Sequence, residues 1–188
     1  MTRLKRDFYR TDTVAVARLI LGKILVRDTG KEILSGRIVE AEAYTGPGDP
    51  ASHAFRGITP RSRIMFGPPG HAYVYFCYGN HCLLNAVTER EGTAGAVLIR
   101  GLEPLDGLET VRQNRGKVAD KNLLNGPGKL TRGLEITLVL NGEDLVRGKK
   151  LWIAEGELYP EETITATPRI GIKKGTDRLW RFILERSY

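Results

Sequence analysis

A chain of 188 residues is most simply one domain, since domains commonly run to about 100–200 residues; 41% hydrophobic and 27% charged residues are globular proportions that exclude a disordered tail, a fibre or a disulfide-stapled miniature fold. Twenty-nine basic against 22 acidic residues leave a net charge of +7, which favours polyanionic partners such as nucleic acid over acidic or neutral proteins. Two cysteines and three histidines lack the spacing of a zinc ribbon or an HExxH helix, so neither a metal nor a cofactor is expected; no apolar run approaches the roughly 18 residues of a membrane span, and the opening MTRLKRDFYR has no signal-type apolar region, so a soluble cytosolic protein is expected.

In chain order, residues 11–22 predict a short helix capped by Thr11 or Asp12 and stopped by Gly22. Residues 23–28 and 34–44 predict an antiparallel strand pair around Thr29 and Gly30. Residues 45–71 hold five of the nine prolines, interleaved with glycines; so long a loop inside a compact domain is usually functional. Residues 72–78 and 81–88 predict a hairpin closed by Gly79 and Asn80. A strand follows over 94–100. Asp106 with Glu109 resembles a capping box that starts a helix reaching about Arg115, and Asn125-Gly126-Pro127 opens another helix carrying Lys129 and Arg132. Residues 151–154, 163–167 and 180–184 predict further strands. Without βαβ alternation, this order predicts an α+β fold: a curved, mainly antiparallel, open barrel-like sheet with peripheral helices and a protruding hairpin, as one domain across residues 1–188.

Chemistry concentrates in the middle of the chain. Half of the aromatic residues (Tyr44, Phe55, Phe66, Tyr73, Tyr75, Phe76 and Tyr78) lie between positions 44 and 78, and His53, His71 and His81 lie in the same region. Strict alternation along RIVEAEAY puts Ile38, Glu40, Glu42 and Tyr44 on one face. An acid at the mouth of the long loop can serve as a general base beside an aromatic wall. It can equally be a solvated carboxylate, and spacing does not choose between Glu40 and Glu42.

Tyr78, next to the hairpin tip, suits either a stacking wedge or cross-strand packing, the latter being expected for Tyr73 and Phe76. A two-residue turn would set Cys77 opposite Cys82, though free thiols are expected in a reducing cytosol. The NGPGK run can present amides and an ammonium to a phosphate, although it lacks the earlier glycine of a Walker A loop. Arg61, Arg63, Lys173 and Lys174 are further candidate phosphate contacts, each equally readable as a solvated charge.

RIVEAEAYTGPGDPASHAFRG (37–57), TPRSRIMF (59–66), YVYFCYG (73–79) and AVLIRGLEPLDGLETVR (96–112) closely resemble the alkyladenine (3-methyladenine) DNA glycosylase family, with weaker echoes in NGPGKL (125–130) and PRIGI (168–172). The resemblance implies a monofunctional base-excision-repair glycosylase that flips alkylated or deaminated purines (3-methyladenine, 7-methylguanine, hypoxanthine) out of double-stranded DNA and hydrolyses the N-glycosidic bond, leaving an abasic site. It implies a monomer without cofactor. By match to the family's motifs, Glu42 is the base that activates water and Arg100 helps hold that water. Tyr44, His53 and Tyr75 stack on the purine, Asn85 excludes the exocyclic amino group of guanine, and Tyr78 fills the vacated space in the duplex.

Two features sit awkwardly with these roles. A two-residue turn pairs Tyr75 with Leu84 and turns Asn85 away, so a bulge or three-residue turn near Gly79 is predicted instead. Asn80 and His81 stand where mammalian members carry bulkier apolar or aromatic side chains. Arg100 is also readable as an ion-pair partner of Glu40 or Glu42. With no nucleophilic lysine expected in the pocket, strand cleavage is not expected. A non-catalytic nucleic-acid-binding module stacking bases on Tyr73, Tyr75 and Tyr78 is the alternative, and it gives Glu42 no task. A folate- or formyl-transferring enzyme, suggested by fold analogy alone, has no matching cofactor motif.

Overall fold

The computed structural model describes residues 1–77, 79 and 81–186. Among them four α-helices and eight strands follow in the order α1 (Arg6–Tyr9), α2 (Thr13–Leu19), β1 (Ile24–Asp28), β2 (Ile33–Thr45), β3 (Ala72–Cys77), β4 (His81–Val87), β5 (Gly95–Pro104), α3 (Leu108–Arg115), α4 (Pro127–Gly133), β6 (Leu151–Ala154), β7 (Glu162–Thr167) and β8 (Arg181–Arg186). The strand pairings are all antiparallel. They join in one sheet ordered β3-β4-β5-β2-β1-β6, with β8 bonded to β2 and β7 to β8. The fold is thus α+β on a curled half-barrel. Among the described residues no helix is long and apolar enough to cross a membrane.

The 13-residue β2 organises the sheet. β5 follows it along one edge, while β1 takes the first part of its other edge and β8 the part from Glu40 to Glu42. Helix α2 lies over β2, with Asp12 accepting from the Ala15 amide at 2.9 Å as its N-cap and Gly22 at φ +81° beyond its end. Val16 and Ala17 from this helix and its C-cap Ile20 meet Leu34, Ile38, Ala41 and Ala43 in the core. Each fully buried leucine or isoleucine there contributes about 1.5–3 kcal/mol.

Strict alternation along β2 does not survive in the structure. Ile38 pairs with Leu102, Glu40 with Gly101 and Ala41 with Ile99, so Val39 on one strand and Arg100 on the other fall outside the ladder. Before this irregularity β2 buries Leu34 and Ile38 in the core; after it, Ala41 and Ala43. Ile38 therefore does not share the face of Glu40, Glu42 and Tyr44, because a bulge shifts the side-chain phase by one residue. β5 changes phase at the same level, burying Val97 and Ile99 on one side of it and Leu102 on the other.

The hairpin is irregular in the expected sense. Cys77 pairs with His81, which leaves residues 78–80 as the connection, and Tyr75 pairs with Leu83 and Tyr73 with Asn85. Tyr73, Tyr75, Leu83 and Asn85 consequently share a face. Cys82 opposes Phe76 rather than Cys77, and both thiols are free. Phe76 opposes Cys82 across the hairpin and is 51% exposed.

The helix over 108–115 exists, but the capping box does not. Gly107, in the left-handed region at φ +72°, is its N-cap without a side-chain bond. Asp106 instead accepts from the Ser35 hydroxyl at 2.6 Å. Helix α4 opens at Pro127 as expected and lies so close to β4 that a Cβ at Gly128 would stand 2.8 Å from the His81 ring.

Candidate active site

The phase change in β2 and β5 sets up one row across four strands: Tyr73 on β3, Asn85 on β4, Leu98 on β5 and Glu42 on β2 are successive ladder partners. Neighbouring strands lie about 4.8 Å apart, so Asn85 and Glu42 stand roughly 10 Å from each other across the floor of a concave surface. The long loop folds back over this surface with Ala54 and Met65 packed against Tyr73, Val87 and Ala96. Residues 170–172 close one side and Gly126 to Lys129 another. The result is a cavity of about 470 Å³, whose wall includes Tyr44, His53, Tyr73, Tyr75, Asn85 and Arg100.

Glu42 is fully buried and does not itself line the cavity; its neighbours Tyr44, Arg100 and Ile170 do. Its Oε2 accepts from the Tyr44 hydroxyl at 2.7 Å and its Oε1 from the Ile170 amide at 2.8 Å, with Arg100 Nε 3.3 Å from Oε1. A buried carboxylate needs such partners, because an unpaired one is costly to desolvate. Glu40 differs from it. It is partly exposed and takes Arg100 Nε at 2.8 Å and Arg181 Nε at 2.6 Å, neutralised by two arginines. Arg100 thus lines the cavity and pairs with both acids, as its ion-pair reading expects.

The aromatic wall is ordered by polar contacts. Tyr75 packs edge-on to His53 with centroids 4.7 Å apart, and Tyr73 tilts against Tyr75 at 5.1 Å. Tyr73 is therefore part of the site, not only cross-strand packing: its hydroxyl lies 2.8 Å from His53 Nδ1. Burial, followed by the charge of Arg61, lowers the His53 pKa to about 4, so the ring is neutral at pH 7. Burial also pushes the Tyr44 hydroxyl far above the ordinary phenol range, reinforced by Glu42, and keeps its proton available for donation. Asn85 is buried and donates from Nδ2 to the Tyr73 carbonyl at 3.1 Å.

The basic candidates divide. Lys129 lines the cavity, its ammonium donating to Asn125 Oδ1 at 2.8 Å. Among the described residues it is the lysine of that wall, half-buried and bonded to Asn125. The Arg61 guanidinium stacks 4.9 Å from the Tyr75 ring. Arg63, Arg132 and Lys173 are exposed and form no part of the cavity wall. Tyr78, expected as the wedge, and Asn80 lie outside the described residues.

Sequence reasoning missed the clamp behind Tyr44. Arg169 and Asp49, both fully buried, form a two-pronged ion pair at 2.7 Å for each bond. Losing either partner leaves a buried charge, at a cost of about 3–5 kcal/mol. Arg169 stands in the weak PRIGI echo and Asp49 in a Pro/Gly-rich loop, and no local pattern joins residues 120 positions apart.

The profile of the family described as "Methylpurine-DNA glycosylase (MPG)" matches residues 7–188. The chain belongs to that family. It is accordingly a DNA glycosylase, a hydrolase of DNA repair whose substrate is DNA. It is 49% identical to a protein of Chlorobaculum parvum over all of this chain and 90% of the relative. Identity reaches 51% with a protein of Carboxydothermus hydrogenoformans, over 98% of this chain and 96% of the relative. The figure is also 51% for one from Prosthecochloris aestuarii, over 100% and 91%. Each of the three carries the name "Putative 3-methyladenine DNA glycosylase".

Proposed function

We propose that this glycosylase takes an alkylated or deaminated purine, among them 3-methyladenine, 7-methylguanine and hypoxanthine, out of duplex DNA into the aromatic cleft and hydrolyses its glycosidic bond. The observation that carries this reading is Glu42: a buried carboxylate held by Tyr44, Ile170 and Arg100 directly behind a ring-lined cavity. Water adds to C1′ of the deoxyribose, the C1′–N9 electron pair leaves with the base, and Glu42 accepts the water's proton. Its charge also opposes the positive charge that develops on the sugar. In the free protein Tyr44, Ile170 and Arg100 hold the carboxylate, and Oε2, with one accepted bond from Tyr44, keeps an acceptor position for the water.

Alkylation at N3 or N7 makes the purine cationic, and stacking between Tyr44 and Tyr75 favours a cation by about 0.5–2 kcal/mol over a neutral ring. The same charge makes the base a better leaving group. Hypoxanthine lacks it and needs a hydrogen bond during departure. A neutral His53 whose Nδ1 accepts from Tyr73 carries its hydrogen on Nε2 and supplies such a donor, without transferring a proton as an imidazolium would. Flipping costs a few kcal/mol, least at weakened pairs. The +7 charge favours the approach to DNA.

The test is incubation with methylated DNA and with a hypoxanthine-containing duplex, scored for free base and alkali-labile abasic sites. Wild type should release base, while Glu42→Gln should lower release by about 10²–10⁴-fold with lesion binding retained. Binding without release by the wild type would leave only the nucleic-acid-binding module.

A further inference from the structure

We propose that Arg169 is a positioning residue for base excision, acting through Tyr44 and through the Ile170 amide; this rests on the function proposed above. The Arg169 guanidinium lies between two rings, 4.7 Å from the Tyr44 centroid and 5.1 Å from that of Trp180. Tyr44, one of these two rings, is a wall of the cavity. Arg178 also packs on Trp180, 4.4 Å from its centroid, and lies 3.9 Å from Asp49.

The edges of the same guanidinium are used as well. Besides its two bonds to Asp49, Arg169 donates to the Ala43 carbonyl at 2.9 Å, in the strand segment between Glu42 and Tyr44. The Ala43 amide in turn donates to the Trp180 carbonyl at 2.9 Å. The next residue after Arg169 gives its amide to Glu42 at 2.8 Å. Asp49 ties in the loop that carries His53, since it also accepts from the Thr45 and Ala51 amides at 3.2 and 3.3 Å. One planar cation thus sets the ring that stacks on the base, the amide that orients the carboxylate and the root of the loop. Lysine would keep the charge but lose the plane and the fork.

The experiment measures single-turnover release and lesion-DNA affinity separately, well below each variant's melting midpoint. Arg169→Lys should slow release by about 10- to 100-fold, in line with the cost of a small misplacement of reacting groups, while affinity changes by less than about threefold. Trp180→Leu should show the same split in the same direction, and Trp180→Phe, which restores the plate, should recover most of the rate. Folded Arg169→Lys protein working at the wild-type rate overturns the inference, as does a parallel loss of affinity, rate and melting temperature. Should Arg169→Lys not fold, the Trp180 pair decides alone: equal rates for Leu and Phe overturn the inference. A wild type that releases no base from either DNA sinks the underlying function, and that result is distinct from active wild type with unaffected variants.

Discussion

The Tyr44 hydroxyl donates to Glu42 across 2.7 Å while the ring of the same residue forms a wall of the cavity. One side chain therefore holds the purine and orients the group that acts on it. Tyr44→Phe separates these tasks. It keeps the stacking surface and removes a hydrogen bond to a charged group, worth about 1.5–3 kcal/mol. Release should fall by roughly 10- to 100-fold with lesion affinity almost unchanged, whereas Tyr44→Ala should weaken affinity too. Single-turnover kinetics beside titration of a lesion duplex would show it; equal losses of rate and affinity in Tyr44→Phe would contradict the division of labour.

His53 makes stability depend on acid in a defined direction. Its folded pKa is about 4 because it is buried and near Arg61, while in an unfolded chain the ring titrates near 6.5. Between those values the unfolded state binds more protons at this site. The stability that comes from keeping the ring neutral is present above about pH 6.5 and is lost as pH falls towards 4. Urea unfolding of wild type and His53→Gln from pH 4 to 7 should diverge on the acid side, wild type losing stability faster. Parallel curves would contradict the neutral assignment.

Lys129 lines the cavity, yet its ammonium is held by Asn125, and hydrolysis by water leaves it no covalent step. Borohydride added during turnover should trap no protein–DNA adduct, and strand breaks should appear only after alkali. If Lys129 faces a phosphate instead, Lys129→Ala lowers the slope of log affinity against log salt by about 0.9. A trapped adduct that disappears in Lys129→Ala would overturn the monofunctional reading.

Gly128 allows α4 to approach β4, since a Cβ there would lie 2.8 Å from the His81 ring and 3.0 Å from its Cβ. Gly128→Ala should cost about 1–3 kcal/mol through overpacking. The displacement falls on the cavity wall, so release should drop along with the melting temperature. An unchanged midpoint in a thermal melt would show that the contact yields freely.

The strand that carries the acids, the clustered rings and the hairpin are legible because each stands in a local pattern, whereas spacing alone does not separate Glu42 from Glu40. Asn85 is the instructive case: a regular two-residue turn would face it away, and its need to meet Tyr75 predicts the three-residue connection that the Cys77–His81 pairing shows. The face of Ile38 is not legible because a bulge leaves no mark in the alternation RIVEAEAY; the strand register and the burial of Ala41 and Ala43 reveal the change of phase. The Ser35–Asp106 bond that replaces the capping box and the Asp49–Arg169 pair join segments far apart in sequence, which no short-range rule detects.

The irregularity at Val39 and Arg100 also limits how this protein can vary. Adding or deleting one residue between it and Tyr44 would swing Ala41 and Ala43 towards the cleft and drive a carboxylate into oil. Change in this stretch of β2 is therefore confined to substitution, while loops elsewhere remain free to lengthen.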